Sequence, residues 1–193
     1  MAEQLKVLLA TVSVATLCLL LAVHCIPAFN KAEALDVETL DYDGRTIALG
    51  LWKVCFHGAN DSALNECVTY NSTTLTGSVE TARAFSVMSC LFFIGGLVLG
   101  LLLEKNEVHR LAYLLPKLFS LLSGTSMGIA AGVFQDVDAD AYSMFLPDYI
   151  TSPSTGFLVA CSGVVGAVLC SMLSHWVHVS SRQSRTEYQT IHG

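Results

Sequence analysis

The sequence predicts an all-α membrane protein: a left-handed four-helix transmembrane bundle with a small extracellular antiparallel β-sheet from the first outer loop. Three observations predict it. The 193-residue chain is 53% hydrophobic but only 13% charged, with a mean hydropathy of +0.56, whereas soluble domains carry about 25% charged residues. Its apolar residues gather into four windows, each long enough to cross a hydrocarbon layer about 30 Å thick. Between the first two windows lies a segment with two cysteines and strand-like alternation. The same composition excludes disorder, which needs low hydrophobicity and high charge. Ten Lys and Arg against sixteen Asp and Glu, a net charge of −6, leave no basic stripe for nucleic acid.

The chain reads as one four-span domain over residues 1–193. The first span covers about residues 5–26, with Lys6 its one charge. Lys6 and the apolar stretch after it could also open a signal peptide. That stretch is longer than the usual apolar region of such a peptide, and no small-x-small cleavage pair precedes Pro27, so an uncleaved span is expected. The second span, residues 84–103, is uncharged. The third, residues 111–134, holds only Lys117, one turn in, where a long side chain reaches the headgroups. The fourth, residues 156–177, is uncharged and carries Trp176, an interfacial residue type, at its end. Backbone groups inside lipid must be satisfied within the segment, which makes all four helices.

Short loops set orientation. The link at residues 104–110 holds Lys105 and Arg110, and the tail at residues 178–193 holds Arg182 and Arg185. The loop at residues 135–155 has no Lys or Arg and four aspartates. The positive-inside rule therefore puts both termini and the short link in the cytosol. Residues 27–83 and 135–155 become outer loops, each with a net charge of −4, so the acidic excess faces outward.

Helices in lipid associate through small residues. Gly124, Gly128 and Gly132 form a stripe on the third span, and Gly96 and Gly100 a pair on the second. They are read as packing positions of the bundle, with a dimer seam on the third span as the other reading. His24 and His175 stand alone, and no span carries Asp or Glu. A transporter or proton relay would need intramembrane ionisable groups.

In the first outer loop Cys55 and Cys67 flank Gly58-Ala59-Asn60-Asp61, a run that turns. Trp52, Val54 and Phe56 alternate before it, Val68 and Tyr70 after it. An outer loop is an oxidising space. The segment reads as a β-hairpin stapled by a Cys55–Cys67 disulfide, and the five cysteines in or beside spans read as small packing residues. Asn60-Asp61-Ser62 and Asn71-Ser72-Thr73 are glycosylation acceptor triplets on the outer side.

Gly50-Leu51-Trp52-Lys53-Val54-Cys55 followed by Cys67, between the first and second of four spans, resembles the G-L-W-x-x-C…C signature of the claudin superfamily. Tyr70-Asn71-Ser72 after the second cysteine and Ala82-Arg83-Ala84 at the start of the second span resemble it further. In sequence the likeness rests on about 35 residues; in layout it covers most of the chain. The superfamily includes claudins, peripheral myelin and epithelial membrane proteins, and gamma-type auxiliary subunits of calcium channels and glutamate receptors. The resemblance implies a left-handed four-helix bundle under a small extracellular sheet. Three features depart from claudins. Phe29 stands where claudins have a tryptophan, the tail ends Ile191-His192-Gly193 without a PDZ-docking apolar terminus, and Asn60 and Asn71 offer glycan sites that claudins rarely have.

The resemblance implies two roles. The first is cell–cell adhesion with a paracellular barrier or a cation-favouring pore at junctions of the plasma membrane. It would work by self-association in cis and trans, with Asp61, Glu66 and the cluster Glu33 to Asp43 as candidate pore-lining acids. The second is an auxiliary subunit that grips an ion channel or receptor. Membrane lipid is an expected partner in both, and a PDZ scaffold is not. In the tail, Tyr188 and Ile191 fit a tyrosine-based sorting pattern. Asp136-Val-Asp138-Ala-Asp140 copies the opening of a calcium loop, but Ala141 replaces the required Gly and Pro147 the required Glu. No metal or cofactor is expected there, and no catalytic constellation suggests an enzyme.

Overall fold

The computed structural model describes residues 2–26, 30–34, 46–57, 66–69, 77–105, 114–143 and 149–192. Four helices, α1 (Ala2–Cys25), α2 (Gly77–Lys105), α3 (Leu114–Ser143) and α4 (Thr155–His192), carry most of the chain, and each contains a window long and apolar enough to cross a membrane. α1 packs on α4, α4 on α3 and α3 on α2, while α1 meets α2 over a smaller area. The interior mixes large apolar residues (Leu20, Phe93, Met127, Phe134) with alanines and with the buried hydroxyls of Ser13, Thr16, Ser86, Ser89, Ser123 and Ser126. The exterior is the more apolar surface, with Val14, Leu91, Val98, Leu101, Leu118, Leu158 and Val165 exposed. Only 22–39% of each window is buried inside the protein. An apolar exterior around an interior of small and hydroxylated residues is the pattern of helices that associate without a hydrophobic driving force.

All four helices overrun the spans expected from hydropathy. α2 begins seven residues before residue 84, α3 runs to Ser143 rather than ending at 134, and α4 runs to His192. Helical backbone continues past the expected span ends: Asp136, Asp138 and Asp140 lie on it, as do Tyr188 and Ile191. Polarity marks where an apolar medium would stop, whereas a helix stops where its backbone hydrogen bonds are interrupted. No Pro or Gly falls between Gly132 and Pro147, or between Gly166 and Gly193. Pro116 is no breaker, because in the first turn of α3 its missing N–H would have no helical acceptor. Ser154 starts α4, its carbonyl accepting from the N–H groups of Phe157 and Leu158 at 3.1 and 3.3 Å.

Five strands form one antiparallel sheet at the end of the bundle where α1 finishes and α2 begins. They are β1 (Asn30–Ala34), β2 (Thr46–Leu49), β3 (Lys53–His57), β4 (Glu66–Thr69) and β5 (Tyr149–Pro153), in the order β4-β3-β2-β1-β5. The expected hairpin is β3–β4, with Cys55 opposite Cys67 and Val54 opposite Val68. Four of the five strands come from residues 27–83, the expected source, and the fifth, β5, lies between α3 and α4 and pairs with β1, Ala32 opposite Thr151. An antiparallel meander leaves its first strand with an open edge, and β5 fills it.

Candidate functional site

The residues that carry the family resemblance form a joint between sheet and helices. β2 and β3 make a hairpin whose closing pair is Gly50 and Lys53, the Gly50 N–H donating to the Lys53 carbonyl at 2.8 Å. The two residues at the turn are Leu51 and Trp52. Short hairpin turns usually rely on Asn-Gly or Gly pairs, so this one needs support from elsewhere. Leu51 supplies part of it, being only 1% exposed and packed in the cluster that holds Leu49, Val79, Ala82 and Phe93.

The rest comes from two helices. Arg83, in the second turn of α2, donates from Nε to the Leu51 carbonyl at 2.6 Å, and its guanidinium lies 4.7 Å from the centre of the Trp52 ring. One cation thus satisfies a turn carbonyl and holds an indole face, a geometry that a planar guanidinium offers and an ammonium does not. The Trp52 Nε1–H donates to His24 Nδ1 near the end of α1 at 3.3 Å. His24 Nε2 in turn lies 3.5 Å from the Cys90 sulfur on α2. The turn is tied to α1 and α2 together. His24 was expected to stand alone; instead it bridges the turn and α2. His175 likewise pairs with Lys117, Nδ1 to Nζ at 3.0 Å.

On the sheet side of the joint, the Cys55–Cys67 disulfide closes β3 to β4, the two Cα atoms 4.0 Å apart. Cys55 is buried and Cys67 exposed, so the bond runs along the sheet from the inner strand β3 to the edge strand β4. Such a bond contributes on the order of 2–4 kcal/mol.

A scan against models of known protein families finds no match for the chain, and neither does a search of the curated proteins. The joint has to be interpreted on its own geometry. Its thiol beside an imidazole, Cys90 at 3.5 Å from His24 Nε2, is buried. Among the described residues, no three His, Cys, Asp or Glu side chains gather where a metal could sit. What the joint can do is fix the angle of a small sheet over four helices.

The other sites expected from the sequence divide by position. Asn60, Asp61 and Asn71 lie outside the described residues, as do residues 106–110 of the expected short link and residues 111–113 of the expected third span. Glu66 opens β4 opposite Phe56. Gly96 packs on α3, where a Cβ would lie 3.0 Å from the Phe119 Cβ and 3.3 Å from the Pro116 carbonyl oxygen. Gly100 stands 3.9 Å from Pro116 by the same measure, and Gly124 is 3.5 Å from the Ala167 Cβ on α4. Gly128 and Gly132 meet nothing within 4 Å, so the expectation that one stripe packs inside the bundle is corrected for both. The reason is geometric. Residues four apart on a helix are rotated about 40° from one another, so a stripe at i, i+4 and i+8 slides around the helix and leaves the interface.

Two close approaches escaped the sequence pattern. A Cβ on Gly166 would run into Thr16 of α1, whose hydroxyl is held by the Val12 carbonyl at 2.8 Å. Ser89 of α2 donates to the Ser123 carbonyl of α3 at 2.8 Å, a bond between helices. Serines at small-residue spacing were the available signal for it. Cys90 and Cys170 are buried, with Cys170 beside the hydroxyls of Ser13 and Thr16 at 3.6 and 3.7 Å.

Proposed function

We propose that the chain is a four-span plasma-membrane protein of the claudin kind, in which four helices form a left-handed bundle and both termini lie in the cytosol. Its sheet serves as a rigid extracellular platform for adhesion and for a paracellular barrier or cation-favouring pore at cell contacts. The observation that carries this reading is the joint: Arg83, Trp52, Leu51 and His24 lock the β2–β3 turn to two helix ends while the disulfide locks β3 to β4. A platform fixed this way can transmit contact between neighbours without losing its orientation. Fixed carboxylates in the two acidic loops would favour cations in a narrow gap between membranes.

Epithelial monolayers expressing the full chain test the reading. A dilution potential that shifts toward cation preference, or a rise in transepithelial resistance, with the protein at the lateral contact line, is the expected result. No change in either quantity with diffuse surface staining would overturn it.

A second role is favoured by one specific feature. Gly128, Ile129 and Gly132 lie on an exposed face of α3, with no neighbour among the described residues at either glycine, which suits close packing against another protein's helix. This is the auxiliary-subunit role, in which the loops and α3 grip a channel or receptor. Crosslinking in native membranes followed by mass spectrometry separates the two: contacts to a heterologous multispan protein favour the subunit, and contacts between copies alone favour adhesion.

A further inference from the structure

At the end of the helices away from the sheet, α3 and α4 line an open cavity of about 410 Å³. Leu118, Leu121, Met172 and Trp176 form its apolar walls, and Lys117 and His175 supply its polar edge. The Lys117 ammonium carries only donors, so its 3.0 Å contact with His175 makes Nδ1 the acceptor and leaves the proton on Nε2. With Lys117 as the ammonium, the pair carries a positive charge. It retains further N–H donors on the ammonium and one on the imidazole, and among the described residues no carboxylate pairs with either group. A cation within one turn of the start of an apolar helix, beside an exposed tryptophan, sits at the depth of lipid headgroups.

We infer that this cavity retains an anionic phospholipid from the leaflet opposite the sheet. Its phosphodiester is held by Lys117 Nζ and His175 Nε2, and one acyl chain lies along Leu118, Leu121 and Met172. Charge complementarity selects this occupant: a zwitterionic lipid brings its own cation to the same place, whereas a headgroup with net negative charge does not. The volume admits a phosphate–glycerol unit and the upper part of one chain, with the remainder continuing along the exposed apolar flank of α4. The inference rests on the membrane reading given above, and the experiment separates the two.

The full chain is reconstituted into vesicles of phosphatidylcholine, with brominated-chain phosphatidylcholine or brominated-chain phosphatidylserine titrated in, and tryptophan fluorescence is recorded. The chain has two tryptophans, and the Trp52 contribution cancels when the same titration is run on Lys117→Gln. Quenching by brominated phosphatidylcholine at all is what a membrane-embedded Trp176 requires; its absence overturns the membrane reading and this inference with it. Quenching by both lipids at equal mole fraction overturns the inference alone. The expected result is half-maximal quenching at an about fivefold lower fraction of phosphatidylserine, the size of effect that one basic residue near an anionic surface supplies. That preference should disappear in Lys117→Gln and persist in Lys117→Arg, which keeps the charge. A preference unchanged in Lys117→Gln would place the anionic lipid elsewhere and overturn the assignment.

Discussion

The two ends of the helices are held by different means. At the sheet end, a guanidinium, an indole and an imidazole join the β2–β3 turn to α1 and α2, and a disulfide joins β3 to β4. At the opposite end, among the described residues, one polar contact, Lys117 to His175, joins α3 and α4 across the cavity, whose apolar walls are open to the surroundings. Directional bonds need partners whose positions are already fixed, and the five-stranded sheet supplies them at one end only. The difference teaches where each end can act. The first is built to hold a shape, and the second has open space beside a cation.

The comparison can be broken most forcefully at the disulfide. Cys55→Ser is expected to lower the unfolding free energy of the purified full-length protein in mild detergent by about 2–5 kcal/mol, read by thermal unfolding. A loss no larger than that of a surface substitution would mean that the sheet end does not depend on its staple. Next comes Arg83→Gln, which removes a charge-assisted hydrogen bond to a turn carbonyl and should cost about 1.5–3 kcal/mol. Accelerated proteolysis between β2 and β3 is the accompanying readout, and Arg83→Lys should restore little of the stability because an ammonium lacks the planar face. In the middle of the bundle, Gly166→Leu forces the α4 backbone away from Thr16 and should cost about 1–3 kcal/mol by overpacking. Gly128→Ala, with open space around it, should raise stability by about 0.5–1 kcal/mol through helix propensity. The smallest effect is expected at the open end, where His175→Gln should change stability by no more than about 0.5 kcal/mol. A larger loss there would show the two ends to be equally built.

Much of this was readable from residue order. The four helices follow from apolar windows too long for anything else, and the β3–β4 pairing follows from alternation at Trp52, Val54 and Phe56 around a turning run. Their ends were not readable, because hydropathy reports on the surrounding medium and helix termination on backbone hydrogen bonding. α3 continues through three aspartates for that reason. β5 was hidden because Tyr149–Pro153 is a short strand whose partner, β1, lies more than a hundred residues earlier. The glycine stripe at Gly124, Gly128 and Gly132 shows the same limit on one helix. Spacing gives an approximate face, but only the neighbouring helices decide that Gly124 meets Ala167 while Gly132 meets nothing. Gly50, Leu51, Trp52 and Arg83 could be picked out as a motif, yet nothing in their order says that a cation from α2 closes a turn 32 residues away.

Order along the chain settled which stretches are apolar helices, which cysteines lie where they can join, and that the acidic surplus sits in two segments. These are consequences of local composition, and a helix or an alternating strand needs only its own few residues to declare itself. Folding in three dimensions settled which glycines touch a neighbour, how the sheet gains its fifth strand, and why His24 and His175 have partners. Those outcomes depend on rotations and crossings among elements far apart in the chain, where a shift of a few degrees or one residue exchanges an interior contact for an exposed one.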